Sequence, residues 1–157
     1  MLTVLLVVST TRESPKTVEY ALKRVKELNA RLVTLCVIDT KLPQAIQEKL
    51  ADSGFVGDKP GEGFFKDVME EYRQRGERKL QEICQAAEKL SIPTKGILRE
   101  GDFIKECLNA IEEEKAYVVI IGKKKISKLS QFIFGSPIKQ IESNARCPVE
   151  VVEEDKI

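Results

Sequence analysis

Two periods of hydrophobic residues alternate along the chain. Residues 2–8, 32–38 and 117–121 are short, largely aliphatic runs rich in valine, isoleucine and leucine, which read as buried β-strands, and 94–98 and 149–152 read as two further strands. Between them apolar residues recur at helical spacing. Val18, Ala21, Leu22, Val25 and Leu28 mark one helix, opened by Ser14-Pro15 and closed by Asn29. Phe64, Phe65, Val68, Met69, Tyr72, Leu80, Ile83, Cys84, Ala87 and Leu90 mark a long second one. Its other side carries Lys66, Asp67, Glu70, Glu71, Arg73, Arg75, Glu77, Arg78 and Lys79, which reads as a solvated face. Ile104, Cys107, Leu108 and Ile111 follow Gly101-Asp102, with Asp102 as the expected N-cap, and residues 136–145 form a fourth helix. Residues 40–63 are less regular. A short helix is expected over 43–51, and Gly54, Gly57, Pro60, Gly61 and Gly63 make the rest a flexible loop.

Strands that alternate with helices must run parallel, because each return needs a crossover. The expected fold is therefore α/β, a doubly wound open five-stranded parallel sheet with helices on both faces, in one domain over residues 1–157. Residues 153–157 are expected to fray. In such sheets ligands bind at the carboxyl ends of the strands where the strand order reverses. The polar stretches there are Ser9-Thr10-Thr11 after the first strand and Gly122 to Lys125 after the fourth.

Composition removes alternatives more than it adds them. With 26 Lys+Arg against 25 Asp+Glu the formal net charge is +1, so bulk electrostatics points to neither nucleic acid nor membrane. No run has the length of a membrane span and no basic leader precedes residues 4–8, so a cytoplasmic location is expected. The four cysteines, Cys36, Cys84, Cys107 and Cys147, are far apart in apolar settings and read as buried reduced thiols. The chain has no histidine, which excludes a Ser-His-Asp triad, a Cys-His pair and every histidine-ligated metal site. No catalytic set and no metal site is evident. A flavin-type reading of Ser9-Thr10-Thr11 and Ser14 finds no tryptophan to stack on the ring. A phospho-receiver reading fails because the first strand ends in hydroxyls and not in an acidic cluster.

The stretch from Gly122 to Ser136 carries the chemistry. A strand, a glycine-bounded lysine-rich loop and a helix start at Gly135-Ser136-Pro137 offer an anion a place to sit. Gly122, position 125 and Gly135-Ser136 fall on the spacing G-x2-G-x9-G-(S/T), and the chain on this ground resembles the universal stress proteins, whose ATP-binding members wrap the phosphates with this loop. Residues 4–39, Arg99 to Phe103 and Cys147 to Val152 extend the similarity to most of the chain apart from 40–63. The resemblance implies strand order 3-2-1-4-5. It also implies a regulator, not an enzyme, that binds ATP or another adenine nucleotide with Mg²⁺ through Ser9, Thr10, Val37, Ile121, Gly122, Lys123, Lys125, Gly135 and Ser136. Three positions depart from the family pattern. Ser9 stands where an aspartate is usual, Lys125 replaces the middle glycine, and Pro137 at N1 removes one backbone N–H. Lys123, Lys124, Lys125 and Lys128 either restore positive charge to the loop or simply keep it soluble. The resemblance further implies a homodimer through the last strand, Val149, Glu150, Val151 and Val152, unless Glu150 guards that edge. The alternative is a dimeric interaction module that has lost its nucleotide and binds an unidentified protein.

Overall fold

The structure, a computed structural model, describes residues 1–10, 13–41, 60–124 and 137–154. Strands and helices alternate as β1 (Thr3–Ser9), α1 (Pro15–Leu28), β2 (Arg31–Asp39), α2 (Pro60–Lys89), β3 (Thr94–Gly101), α3 (Phe103–Glu114), β4 (Val118–Lys124), α4 (Pro137–Asn144) and β5 (Val149–Glu154). The strands pair in parallel in the order β3-β2-β1-β4-β5, the order that the resemblance implied.

Alternation along the strands divides the core into two layers. Val4, Leu6 and Val8 of β1 and Leu32 and Cys36 of β2 meet Ala21 and Val25 of α1 and Leu80, Ile83 and Ala87 of α2. Leu5 and Val7, with Val33, Leu35 and Val37, meet Cys107, Ala110 and Ile111 of α3 and Ile141 of α4 on the other face. Burial on both faces explains why the central strands read as unbroken aliphatic runs. The four cysteines are free thiols, with Cys36 in the first layer and Cys107 in the second.

Local signals set most element ends. Asn29 closes α1 in the left-handed conformation at φ 51°. Gly101 turns the chain at φ 147°, a value that disfavours any side chain, and the Asp102 carboxylate then accepts from Lys105 N at 3.0 Å to cap α3. Elsewhere the structure differs from the expectation. Ser14 stands before α1, yet its side chain makes no capping bond. α2 begins at Pro60, so Pro60, Gly61 and Gly63, expected in a loop, lie in its first turn. Proline is pre-set for that position, and a long helix absorbs about 1 kcal/mol per glycine. β3 runs on to Gly101, and β5 to Glu154, where fraying was expected, because Lys123 and Lys124 provide partners for Glu153 and Glu154. The helix expected over 43–51 lies outside the described residues.

Gly76 lets α2 approach the sheet closely. A Cβ there would lie 2.7 Å from Leu98 Cδ1 and 3.4 Å from both Cys36 Sγ and Thr10 Cγ2. The mid-helix glycine thus brings α2 down onto the carboxyl ends of β1 to β3, beside the point where the strand order reverses.

Candidate functional site

At the centre of the sheet, β1 and β4 pair through Val7↔Ile121 and no further, although β1 continues to Ser9 and β4 to Lys124. The opening beyond that pair is the crevice expected of a doubly wound sheet. Ser9 pairs with Val37 of β2 at its rim. Val37 and Ile121 are buried in the α3/α4 layer, at 2 % and 4 % exposure, so each offers a ligand its main chain and not its side chain. Thr10 is buried as well, its methyl turned toward α2 at Gly76. Gly122 and Lys123, both half-buried, form the β4 flank. Lys125, Gly135 and Ser136 lie outside the described residues. Pro137 begins α4, as the sequence indicated.

Three residues that sequence reading passed over also shape this edge. Lys79, assigned to the solvated face of α2, has a side chain only 13 % exposed and donates from Nζ to the Ser9 carbonyl at 2.6 Å. Its position follows from Gly76, one helical turn earlier, which brings that part of α2 close to the sheet. The second and third are Thr17 and Glu154. Thr17, fully buried at the third position of α1, donates from its backbone N–H and from its hydroxyl to Glu154 Oε1, at 2.6 and 2.7 Å. A carboxylate from the far end of the chain therefore caps α1, the task expected of Ser14. It suits that place because the helix N-terminus carries partial positive charge.

The same contact gives Gly122 a second reason to be glycine. A Cβ on it would fall 2.5 Å from Thr17 Oγ1, closer than real contacts allow, and 3.6 Å from Glu154 Cγ. The requirement is steric and holds whether or not a ligand is bound. Alternation was the available signal. Glu150 and Glu154 share one face of β5, and Thr17, Tyr20 and Arg24 lie on one side of α1. Glu150 accepts from Tyr20 Oη at 2.8 Å and from Arg24 Nε and Nη2 at 3.0 and 3.1 Å. Glu150 loses solvation on burial, yet these two partners hold its carboxyl below the usual range.

Among the described residues no group of three or more cysteine, aspartate or glutamate side chains is placed to hold a metal. None of the described helices is long and apolar enough to cross a membrane.

The sheet order, the crevice and the strand-end glycine define a doubly wound α/β protein with an opening where the strand order reverses. The sequence profile of the universal stress protein family matches residues 1–153, and the chain belongs to that family. A universal stress protein of Methanocaldococcus jannaschii is 26 % identical over 138 residues, which cover 88 % of this chain and 74 % of the relative. Two solved structures share the fold. One, a universal stress protein in complex with cAMP, superposes with a TM-score of 0.63 at 16 % identity, covering 97 % of this chain and 96 % of its own. The other, the universal stress protein of Archaeoglobus fulgidus in complex with dAMP, does so with a TM-score of 0.60 at 13 % identity, covering 97 % and 98 %.

Proposed function

We propose that this protein is a cytoplasmic regulator that binds an adenine nucleotide in the crevice between the ends of β1 and β4 and catalyses no reaction of its own. The observation that carries the reading is the parting of β1 and β4 after Val7↔Ile121, with Gly122 on one flank and Ser9 on the other. The cAMP and dAMP complexes of proteins with this fold support it. In this reading the base lies against the main chain at Ser9 and Val37, with Thr10 beneath, and the phosphate lies toward Ile121, Gly122, Lys123, Lys125, Gly135 and Ser136. Mg²⁺ accompanies a phosphate chain where one is present.

Titration calorimetry with AMP, cAMP and ATP, with and without Mg²⁺, tests the reading. Heat is expected with at least one of them, weakening as salt rises and after Lys123→Ala with Lys125→Ala. Lys125→Gly with Ser9→Asp restores two family features and is expected to tighten ATP by about tenfold. No heat from the wild type or the restored variant at millimolar nucleotide would refute it.

The β5 edge favours a second activity, pairing with another copy of the chain. Among the described residues β5 has a neighbouring strand on one side only, and Val151 on it is 37 % exposed. Glu150, which could have guarded the edge, is drawn onto Tyr20 and Arg24. Light scattering at micromolar concentration is expected to give a dimer that Val151→Lys dissociates. A monomer unaffected by that change removes the proposal.

A further inference from the structure

We infer that Glu154 is a specificity-determining residue of the crevice, which selects adenine nucleotides carrying a single phosphate, free or cyclic, over those with an extended phosphate chain. The inference rests on the nucleotide-binding reading above.

Glu154 acts on an anion in two ways. Its carboxylate takes up the N-terminus of α1, which would otherwise be a helix start available to a phosphate near this edge. Pro15 supplies no N–H there, and the Thr17 N–H is held by Glu154 Oε1. The same carboxylate also places negative charge beside the β4 flank. Glu154 pairs in register with Lys124, the last residue of β4, and a Cβ added to Gly122 would lie 3.6 Å from its Cγ.

Position makes this charge more effective than an ordinary surface glutamate. Glu154 is 5 % exposed, and two donors of a fully buried threonine hold one oxygen, so it cannot swing into solvent as a phosphate approaches. Lys123 on the neighbouring strand has a flexible stem and can turn toward a ligand or away. Glu150, on the same face of β5, is already matched by Arg24 and Tyr20. A ligand with one phosphate meets the carboxylate once. A triphosphate brings two or three further charges toward it, and their repulsion by the fixed carboxylate is expected to weaken affinity roughly fivefold.

The test compares Glu154→Gln with the wild type. Glutamine keeps an oxygen that both Thr17 donors can reach, retains the shape and removes the charge. Calorimetry with AMP, cAMP and ATP at low salt without Mg²⁺ is expected to show AMP and cAMP within about twofold of wild type and ATP tightened about fivefold. In the wild type alone, the preference for AMP over ATP is expected to shrink as salt rises to about 0.5 M, a readout that stands even if the variant does not fold. An equal change for all three ligands, or a wild-type preference indifferent to salt, reduces Glu154 to a helix cap and overturns the inference while leaving nucleotide binding intact. Absence of binding by any of the three to either protein overturns both.

Discussion

The two flanks of the crevice are each held by a charged residue delivered from outside the strand it serves. At the end of β1 a lysine of α2 reaches the Ser9 carbonyl. At the end of β4 a carboxylate of β5 reaches past Gly122 to the start of α1. The arrangements differ in rigidity. Lys79 donates to the Ser9 carbonyl and also faces the exposed Glu13 carboxylate at 3.7 Å. Glu154 is locked by two donors and by the close fit of Thr17 against Gly122. The β1 end is thus held by a lysine of a helix, and the β4 side by a fixed carboxylate of the edge strand.

Substitutions on each flank break this comparison to different degrees. Gly122→Val is expected to have the largest effect, about 2–3 kcal/mol of lost stability in urea denaturation, because its side chain overlaps Thr17 Oγ1. Adding Thr17→Ala is expected to restore part of the loss, and a double variant no better than the single one would remove Thr17 as the cause. Thr17→Val, which keeps the shape but removes the hydroxyl donor from a buried carboxylate, is expected to cost about 1–2 kcal/mol. Lys79→Met, which keeps the stem, is expected to cost about 1 kcal/mol, since water at the strand end can replace the ammonium. A Lys79→Met loss larger than that of Thr17→Val would reverse the ranking of the two flanks.

The smallest effect is expected away from the crevice. Lys41 and then the Lys105 N–H hold the Asp102 carboxyl below its ordinary value of 3.8. Because the folded value is depressed, the stabilisation is complete above 3.8 and is lost as pH falls through the folded value. Asp102→Asn, which still caps α3, is expected to flatten the stability profile in that acid window by a few tenths of a kilocalorie, as suits a partly exposed pair. Denaturation midpoints followed below pH 4 would show it.

What the sequence made legible follows from how far each interaction reaches along the chain. The aliphatic runs, Asn29 and the Gly101-Asp102 turn depend on neighbours, and all were readable. Fold class came from alternation, whereas strand order came only as what the resemblance to the universal stress proteins implied. Glu154 was placed in a frayed tail because its partner, Thr17, lies 137 residues away, and the alternation of Glu150 and Glu154 along β5 was the one hint of the link. Lys79 looked like one more charge on a charged helix face. Only the closeness of α2 to the sheet at Gly76 shows that this turn of the face is covered. Ser14 illustrates the reverse, a local cap signal whose task a distant carboxylate has taken.

The placement of the cysteines also gives the molecule a built-in stopwatch. Burial pushes the Cys36 thiol up to about 11 and the Cys107 thiol up to about 12, so neither presents an appreciable thiolate near neutrality. Alkylation of either therefore waits for the layer around it to open. Because Cys36 lies beneath α2 and Cys107 within α3 on the opposite side of the sheet, the two labelling rates time the two layers separately. Equal rates mark a single cooperative opening. A faster Cys36 would reveal that α2 lifts from the sheet before the rest gives way.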